Sequence, residues 1–176
     1  MFDPSLAQKL SSTQIGAIGE NILVNTVMKS SKGRLSAFKP AADDDGLDVL
    51  FFDKQTGKSV AIQFKCRAAT DRNGYSKLRG HTAQFDVRKA TIKEARRAYL
   101  VAALLNEDMT DFVCAWFISM KKLQEVGKLK SDKYVITPSK AANSKDKYVN
   151  YRCNTEKLAQ HILKECNRYA NGALPY

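Results

Sequence analysis

The residues best suited to chemistry in this sequence lie on one side of a short segment with strand character. Across residues 59–67 (SVAIQFKCR), apolar side chains occupy every second position, as in a β-strand. Gln63 and Lys65 share the opposite side, about 6.5 Å apart along the chain. An amide oxygen can bind a hard cation, and an ammonium group can stabilise an anion. Taken singly, each residue is compatible with ordinary packing, so its meaning depends on its neighbours.

A carboxylate is predicted to lie beside these two groups. Residues 48–53 (DVLFFD) have the composition of a strand, and residues 54–58 (KQTGK) form a hairpin turn before the next one. Asp48 opens the first strand of this hairpin. The pairing therefore brings Asp48 close to both Gln63 and Lys65.

A helix with a second carboxylate precedes the hairpin. Apolar residues recur with a 3.6-residue period from a serine cap (Ser11 or Ser12) to about Met28. Glu20 lies at the border of the apolar face. The glycines one and four residues before Glu20 would let the helix approach the sheet closely.

These segments together resemble the PD-(D/E)xK nuclease superfamily. The resemblance rests on three motifs: G-x-x-G-E (16–20), D-G-L-D (45–48) and Q-x-K (63–65). The position of Glu20 on an early helix resembles the arrangement in the archaeal Holliday junction resolvases. The Gln-x-Lys variant of the last motif is similar to that of Mrr-type restriction enzymes. The resemblance covers residues 13–67. It implies an α/β fold with a restriction-endonuclease-like core, in which a central mixed sheet is flanked by helices, and we expect a single domain over residues 1–176.

The same resemblance implies a Mg²⁺ (or Mn²⁺) site and a catalytic lysine. Asp48 would be the central carboxylate ligand, Glu20 a direct or water-mediated second ligand, and Gln63 a neutral third; the family also implies the backbone carbonyl of Phe64. Such a metal polarises a phosphate and lowers the pKa of a bound water. Lys65 would orient that water and stabilise the transition state. The family more often has Glu or Asp at position 63, so the amide removes one negative charge, which Glu20 can restore.

The net charge of +11 is concentrated in two blocks. Residues 54–100 hold 12 basic and 3 acidic side chains, and residues 120–152 hold 9 basic and 3 acidic ones. Binding to a polyanion requires such blocks, because Lys and Arg neutralise phosphates. Residues 128–152 of the second block, with Lys130, Lys133, Lys145 and Lys147, are a second candidate phosphate surface. In the first block, the candidate nucleic-acid contacts are Arg67, Arg72, Lys77, Arg79, Arg88, Lys89, Lys93, Arg96 and Arg97.

The remaining pattern predicts the elements around this site. Thr91 with Glu94 indicates a capped basic helix, which would carry the last five of those contacts. The apolar runs 98–105 and 112–118 are expected at the centre of the sheet. The other predicted elements are strands at 35–38, 85–87, 134–137 and 148–152, and helices at 120–126 and 155–166.

Several further expectations concern compartment and partners. The four scattered cysteines predict buried, reduced thiols rather than a zinc site. No apolar run approaches the roughly 18 residues of a membrane span, and no signal peptide is visible, so we expect a cytoplasmic protein without a membrane partner. DNA, duplex or branched, is the expected substrate, and a homodimer is expected to act on it; RNA remains open. The alternatives are a non-catalytic nucleic-acid-binding protein that retains the nuclease fold, and a component of a defence or toxin assembly.

Overall fold

Helices and strands alternate along the chain in the computed structural model. The described residues are 10–41, 46–68, 78–79, 82–93 and 96–170. In chain order the elements are α1 (Ser12–Ser30), β1 (Leu35–Phe38), β2 (Val49–Asp53), β3 (Ser59–Ala68), β4 (Leu78–Arg79), β5 (Thr82–Ala83), β6 (Phe85–Arg88), β7 (Ala98–Leu105), β8 (Phe112–Ser119), α2 (Met120–Val126), β9 (Lys128–Lys130), β10 (Lys133–Ile136), β11 (Arg152–Cys153) and α3 (Thr155–Ala170).

Six of these strands form the central sheet, in the order β1-β2-β3-β7-β8-β11. β3 and β7 run parallel, from Ala61 opposite Ala98 to Ala68 opposite Leu105. The other neighbouring pairs are antiparallel. All eight residues of β7 are buried, which explains why this strand is apolar on both faces. The predicted mixed sheet and the central position of β7 and β8 are thereby confirmed.

Helices α1 and α3 cover one face of this sheet and form what we call the helical layer. Leu23 and Val27 of α1 and Ile162 of α3 pack in one buried cluster with Ile62 and Phe64 of β3. Burying each of these side chains contributes roughly 1.5–3 kcal/mol. The apolar side of β3 thus holds both helices in place.

Helix α2 and a second, three-stranded sheet cover the opposite face. This second sheet has the order β6-β10-β9. Phe85 and Val87 of β6 pack with Trp116 of β8, Leu123 of α2 and Ile136 of β10. The side of β3 that carries Gln63 and Lys65 faces this layer.

Helix α1 approaches β3 closely at one glycine. A Cβ atom at Gly19 would lie 2.7 Å from Sγ of Cys66 and 2.9 Å from Cε1 of Phe64. A Cβ atom at Gly16 would meet no heavy atom within 4 Å. The predicted close approach is therefore confirmed for Gly19 and wrong for Gly16, because Gly16 does not face the sheet closely enough to touch it.

Most of the predicted elements are confirmed. Ser11 caps α1 through a capping box with Gln14. The β2–β3 hairpin forms with Val49 opposite Ile62, and β3 extends one residue beyond its predicted end. Helix α2 has its predicted bounds.

The predicted basic helix after β6 is wrong. Lys89–Thr91 is a 3₁₀ turn, and residues 92–93 and 96–97 are not helical. Phe85 and Val87 enter the core with the two-residue period of a strand, which carries the chain in β6 as far as Arg88. Because β7 begins at residue 98, only a short connection remains between the 3₁₀ turn and that strand.

The predicted strand over residues 148–152 is also wrong for most of its length. Val149–Tyr151 is a 3₁₀ turn, which begins after the buried side chain of Tyr148. Only Arg152 and Cys153 pair with β8. Burial of the tyrosine ring therefore determines the local backbone more strongly than the β-propensity of this segment.

The cysteines are buried, as predicted. Cys66, Cys114, Cys153 and Cys166 are free thiols. Burial raises the pKa of the Cys153 thiol to about 12. Across the described ranges, no helix combines the length and apolar character that crossing a membrane needs.

Candidate active site

The candidate site lies where β3 separates from β2. The antiparallel ladder between these strands ends at Val49 and Ile62, while β3 continues to Ala68 beside β7. Asp48 is one residue before the last pair on β2, and Gln63 is one residue after it on β3. The structure therefore brings these two predicted residues to the point where the strands part.

Asp48 is attached to β3 through both its backbone and its side chain. Its N–H donates to the carbonyl of Ile62 at 2.9 Å, and its Oδ2 accepts the N–H of Phe64 at 2.5 Å. The carbonyl of Phe64 lies along the same edge of β3, because the N–H and C=O of one residue in a strand point to the same side. A carboxylate and a backbone carbonyl are thus directed toward one edge.

Gln63 is buried beneath the turn that follows β6. Its side chain is 3% exposed, and its Oε1 lies 3.3 Å from the Thr91 hydroxyl. That hydroxyl also donates to the Arg88 carbonyl at 2.8 Å. Since a threonine has one hydroxyl proton, the shorter contact takes it in preference. The amide oxygen of Gln63 therefore retains capacity to accept from, or coordinate, another partner.

Gly46 completes the surroundings of Gln63. Its φ is +68°, and a Cβ at this position would lie 2.5 Å from Cγ2 of Thr91 and 3.1 Å from Nε2 of Gln63. Only glycine combines this conformation with such close packing. Sequence reasoning missed the roles of Gly46 and Thr91, although the turn-forming glycine before Asp48 was a signal for the former.

Lys65 shares the face of Gln63 and is half-buried. It is in register with Ala102 of β7. By the alternation of a strand, its ammonium group belongs to the same side of the sheet as the Gln63 amide. The predicted pairing of an amide and an ammonium group along one side of β3 is compatible with this placement.

Glu20 lies in the helical layer, on the other face of β3. Its Oε2 forms an ion pair with Nζ of Lys39 at 3.3 Å, and the same ammonium donates to Asn21 Oδ1 at 3.1 Å. Burial raises the pKa of the Cys66 thiol to about 11, and the Glu20 charge adds to this effect. The charge of Lys65 lowers the pKa of the same thiol, so Glu20 and Lys65 both lie near Cys66.

The oxygen donors at the site suit a hard divalent cation. The carboxylate of Asp48, the amide oxygen of Gln63 and the carbonyl of Phe64 match the preference of Mg²⁺ for oxygen ligands. Over the described parts of the chain, no three His, Cys, Asp or Glu side chains form a metal-binding group. The donor set thus has one carboxylate and two neutral oxygens, and these oxygen ligands fit Mg²⁺ by their chemistry.

Arg67 has a different environment from the one expected of a phosphate contact. Its guanidinium donates to the carbonyls of Gln84 at 3.2 Å and of Cys66 at 3.1 Å. It also lies 6.0 Å from the ring centre of Phe85. These contacts join the end of β3 to the start of β6.

The structure describes the side chains of only some of the other predicted nucleic-acid contacts. Arg88, Lys89, Lys93 and Arg97 are exposed, and Arg96 is half-buried. Arg72, Lys77 and the side chain of Arg79 lie outside the described residues. The acidic residues 43–45 beside Asp48 also lie outside them.

Comparison with known proteins gives matches in structure. No protein-family model matches the sequence, and no curated protein matches it. The chain is similar to a bacterial homing endonuclease, I-Ssp6803I, with a TM-score of 0.63 and 17% identity over 94% of this chain and 100% of that one. It is also similar to the Holliday junction resolvase Hjc of Archaeoglobus fulgidus, with a TM-score of 0.42 and 12% identity over 77% of this chain and 97% of that one.

The similarity to the homing endonuclease extends over almost the whole of both chains. It agrees with the six-stranded mixed sheet and its covering helices. The predicted fold class is confirmed. This chain has a restriction-endonuclease-like α/β fold.

Proposed function

We propose that this protein is a divalent-metal-dependent DNA endonuclease that hydrolyses phosphodiester bonds. The observation that carries the proposal is the placement of Asp48 and Gln63 on either side of the point where β3 leaves β2. Lys65 follows on the same face of β3. The fold adds support, because a structural neighbour that covers 94% of this chain is a homing endonuclease.

The oxygen donors of this site would hold a Mg²⁺ or Mn²⁺ ion. Asp48 would supply the charged ligand, and Gln63 with the Phe64 carbonyl would supply neutral ones. Glu20 would join them as a second carboxylate, directly or through water, once its ion pair with Lys39 opens. A bound ion supplies polarisation of the scissile phosphate and a water of lowered pKa.

Lys65 would act on the phosphate and on the attacking water. Its ammonium is a compact charge with three donors, and the phosphate oxygens gain negative charge as the water attacks. Donors arranged before the reaction stabilise that charge without reorganising. Lys65 would therefore lower the barrier to hydrolysis more than it strengthens substrate binding.

The substrate we propose is duplex or branched DNA. The basic blocks supply phosphate contacts, which position a nucleic acid without reading its sequence. Cutting both strands needs an active site on each, so we also propose a C2 homodimer. Sedimentation of the free and DNA-bound protein tests this assembly.

The experiment is an incubation with plasmid, linear duplex, four-way junction, single-stranded DNA and RNA, in Mg²⁺, in Mn²⁺ and in EDTA. Lys65→Met is compared with Lys58→Met. Lys58 is an exposed lysine in the β2–β3 turn, immediately before β3 begins. We expect metal-dependent DNA cleavage by the wild type and by Lys58→Met, with a loss of about 100-fold or more in Lys65→Met. Cleavage that persists in EDTA or in Lys65→Met would contradict the proposal.

A non-catalytic DNA-binding protein is the second candidate. Two observations favour it: the neutral amide at Gln63, and the engagement of Glu20 by Lys39. Both reduce the negative charge that would attract a metal. Salt-sensitive DNA binding without cleavage of any substrate in either metal would support this candidate.

A further inference from the structure

The two basic blocks of the sequence meet in the second sheet. β6 comes from the first block, and β9 and β10 come from the second. Their register places Arg88 opposite Lys133, and Lys133 opposite Lys130. We infer that these three residues, here called the basic row, bind successive phosphates of the nucleic acid on which the candidate site acts. This inference rests on the proposed function.

The basic row is open to solvent. All three side chains are exposed. Val87 and Tyr134, which adjoin Arg88 and Lys133 in their strands, pack with the core, whereas every residue of β9 is exposed. Over the described residues, none of the three forms an ion pair. The row therefore presents its positive charge outward.

Like charges at opposite positions destabilise a pair of strands. Here Lys133 has a cation opposite it on each side. Two carboxylates lie near the row: Asp132 in the β9–β10 turn, and Asp86, two residues before Arg88 on the same side of β6, which accepts a hydrogen bond from Gln84. Binding of a polyanion would relieve this repulsion between the three cations. Solubility alone would not require the cations to lie opposite one another.

The basic row begins close to the candidate site. The carbonyl of Arg88 accepts the Thr91 hydroxyl at 2.8 Å, and that hydroxyl lies 3.3 Å from Oε1 of Gln63. One 3₁₀ turn therefore separates the first cation of the row from a residue of the site. A strand whose scissile phosphate lay at the site would run onto the row.

The length of the row matches a short stretch of nucleic acid. Three adjacent strands span about 10 Å. Phosphates along one strand of a duplex rise about 3.4 Å each along the axis. The row can therefore contact about three phosphates. The guanidinium of Arg88 would contact the phosphate nearest the site, and the ammonium groups of Lys133 and Lys130 would contact the next ones.

The test measures the salt dependence of duplex DNA binding in EDTA, so that cleavage plays no part. The variant Arg88→Gln/Lys130→Gln/Lys133→Gln is compared with Lys29→Gln/Lys157→Gln/Lys164→Gln, which removes three exposed cations from the helical layer. We expect the slope of log K against log salt to become shallower by about 2.7 in the first variant. The control should keep the wild-type slope, and Lys130→Arg/Lys133→Arg should keep it too.

The outcomes separate this inference from the proposed function. If the wild type binds DNA and the two triple variants have equal slopes, the basic row is not the phosphate surface, while the nuclease proposal stands. If the wild type shows no salt-dependent DNA binding, both proposals fail. Thermal unfolding of each variant accompanies the measurement, because only variants with the wild-type transition report on the charges.

Discussion

The carboxylate of Asp48 accepts the backbone N–H of Phe64, two residues beyond the last pair of the β2–β3 ladder. Main-chain structure therefore helps to determine the position of this carboxylate. An asparagine can accept the same hydrogen bond through its side-chain oxygen. Asp48→Asn thus removes the charge while it keeps the local geometry.

Replacing Gly19 by alanine should destabilise the fold. Alanine gains up to about 1 kcal/mol in helix propensity over glycine. At Gly19, however, the new Cβ would lie 2.7 Å from Sγ of Cys66 and 2.9 Å from the Phe64 ring, and overpacking of this kind costs about 1–3 kcal/mol. Urea unfolding should show a net loss of about 1 kcal/mol.

Gly16→Ala is the matched control in the same helix. It meets no heavy atom within 4 Å, so it should stabilise the protein by up to about 1 kcal/mol. A stabilising shift in Gly19→Ala as well as in Gly16→Ala would show that α1 does not pack on β3 through Gly19.

Gly46→Ala should impair cleavage, whereas Gly57→Ala should not. Both glycines have a positive φ, +68° and +67°, so each alanine carries a strain of roughly 1–2 kcal/mol. Only at Gly46 would the Cβ also strike Thr91 and approach Gln63. We expect both variants to lose stability, and only Gly46→Ala to lose cleavage rate, by about 10-fold for a small displacement. Equal cleavage rates of the two variants would argue against a positioning role for Gly46.

The Asp53–Arg34 pair should make stability depend on acid pH. Asp53 is buried and accepts Nε of Arg34 at 2.8 Å and Nη2 at 2.7 Å, which holds its pKa well below the usual range. A carboxyl whose pKa is lowered by folding stabilises the protein above its unfolded pKa of about 3.9. That contribution is lost as the pH falls from there toward the folded pKa.

Asp53→Asn should therefore lower the free energy of unfolding by about 2 kcal/mol near neutral pH. Its unfolding free energy should also fall less steeply than that of the wild type below about pH 4. Urea unfolding at a series of pH values measures both effects. Parallel pH profiles for the two proteins would contradict the assignment.

Local patterns made much of the candidate site predictable. Alternation along β3 places Gln63 and Lys65 on one side, and a short hairpin leads back to Asp48. The apolar runs of β7 and β8 could be recognised as interior strands, because burial of all of β7 and of most of β8 leaves little polar surface on either strand. These features depend on contacts between residues that are close in the chain.

Contacts between distant segments could not be read from the sequence. Thr91 reaches Gln63 only because β6 and its 3₁₀ turn pack over β3. The register of β6 with β10 joins Arg88 to Lys133, although each basic block had appeared as a separate surface. The apparent helix cap at Thr91 misled for the same reason, since the core takes Phe85 and Val87 as strand residues.

The most direct test of the account is the single-turnover rate of metal-dependent DNA cleavage by Asp48→Asn. Asp108→Asn, an exposed carboxylate in the β7–β8 turn, is the control. We predict that Asp48→Asn keeps its fold and its DNA binding but cleaves at least about 100-fold more slowly, while Asp108→Asn cleaves at the wild-type rate. Cleavage by Asp48→Asn at the wild-type rate would contradict the central claim.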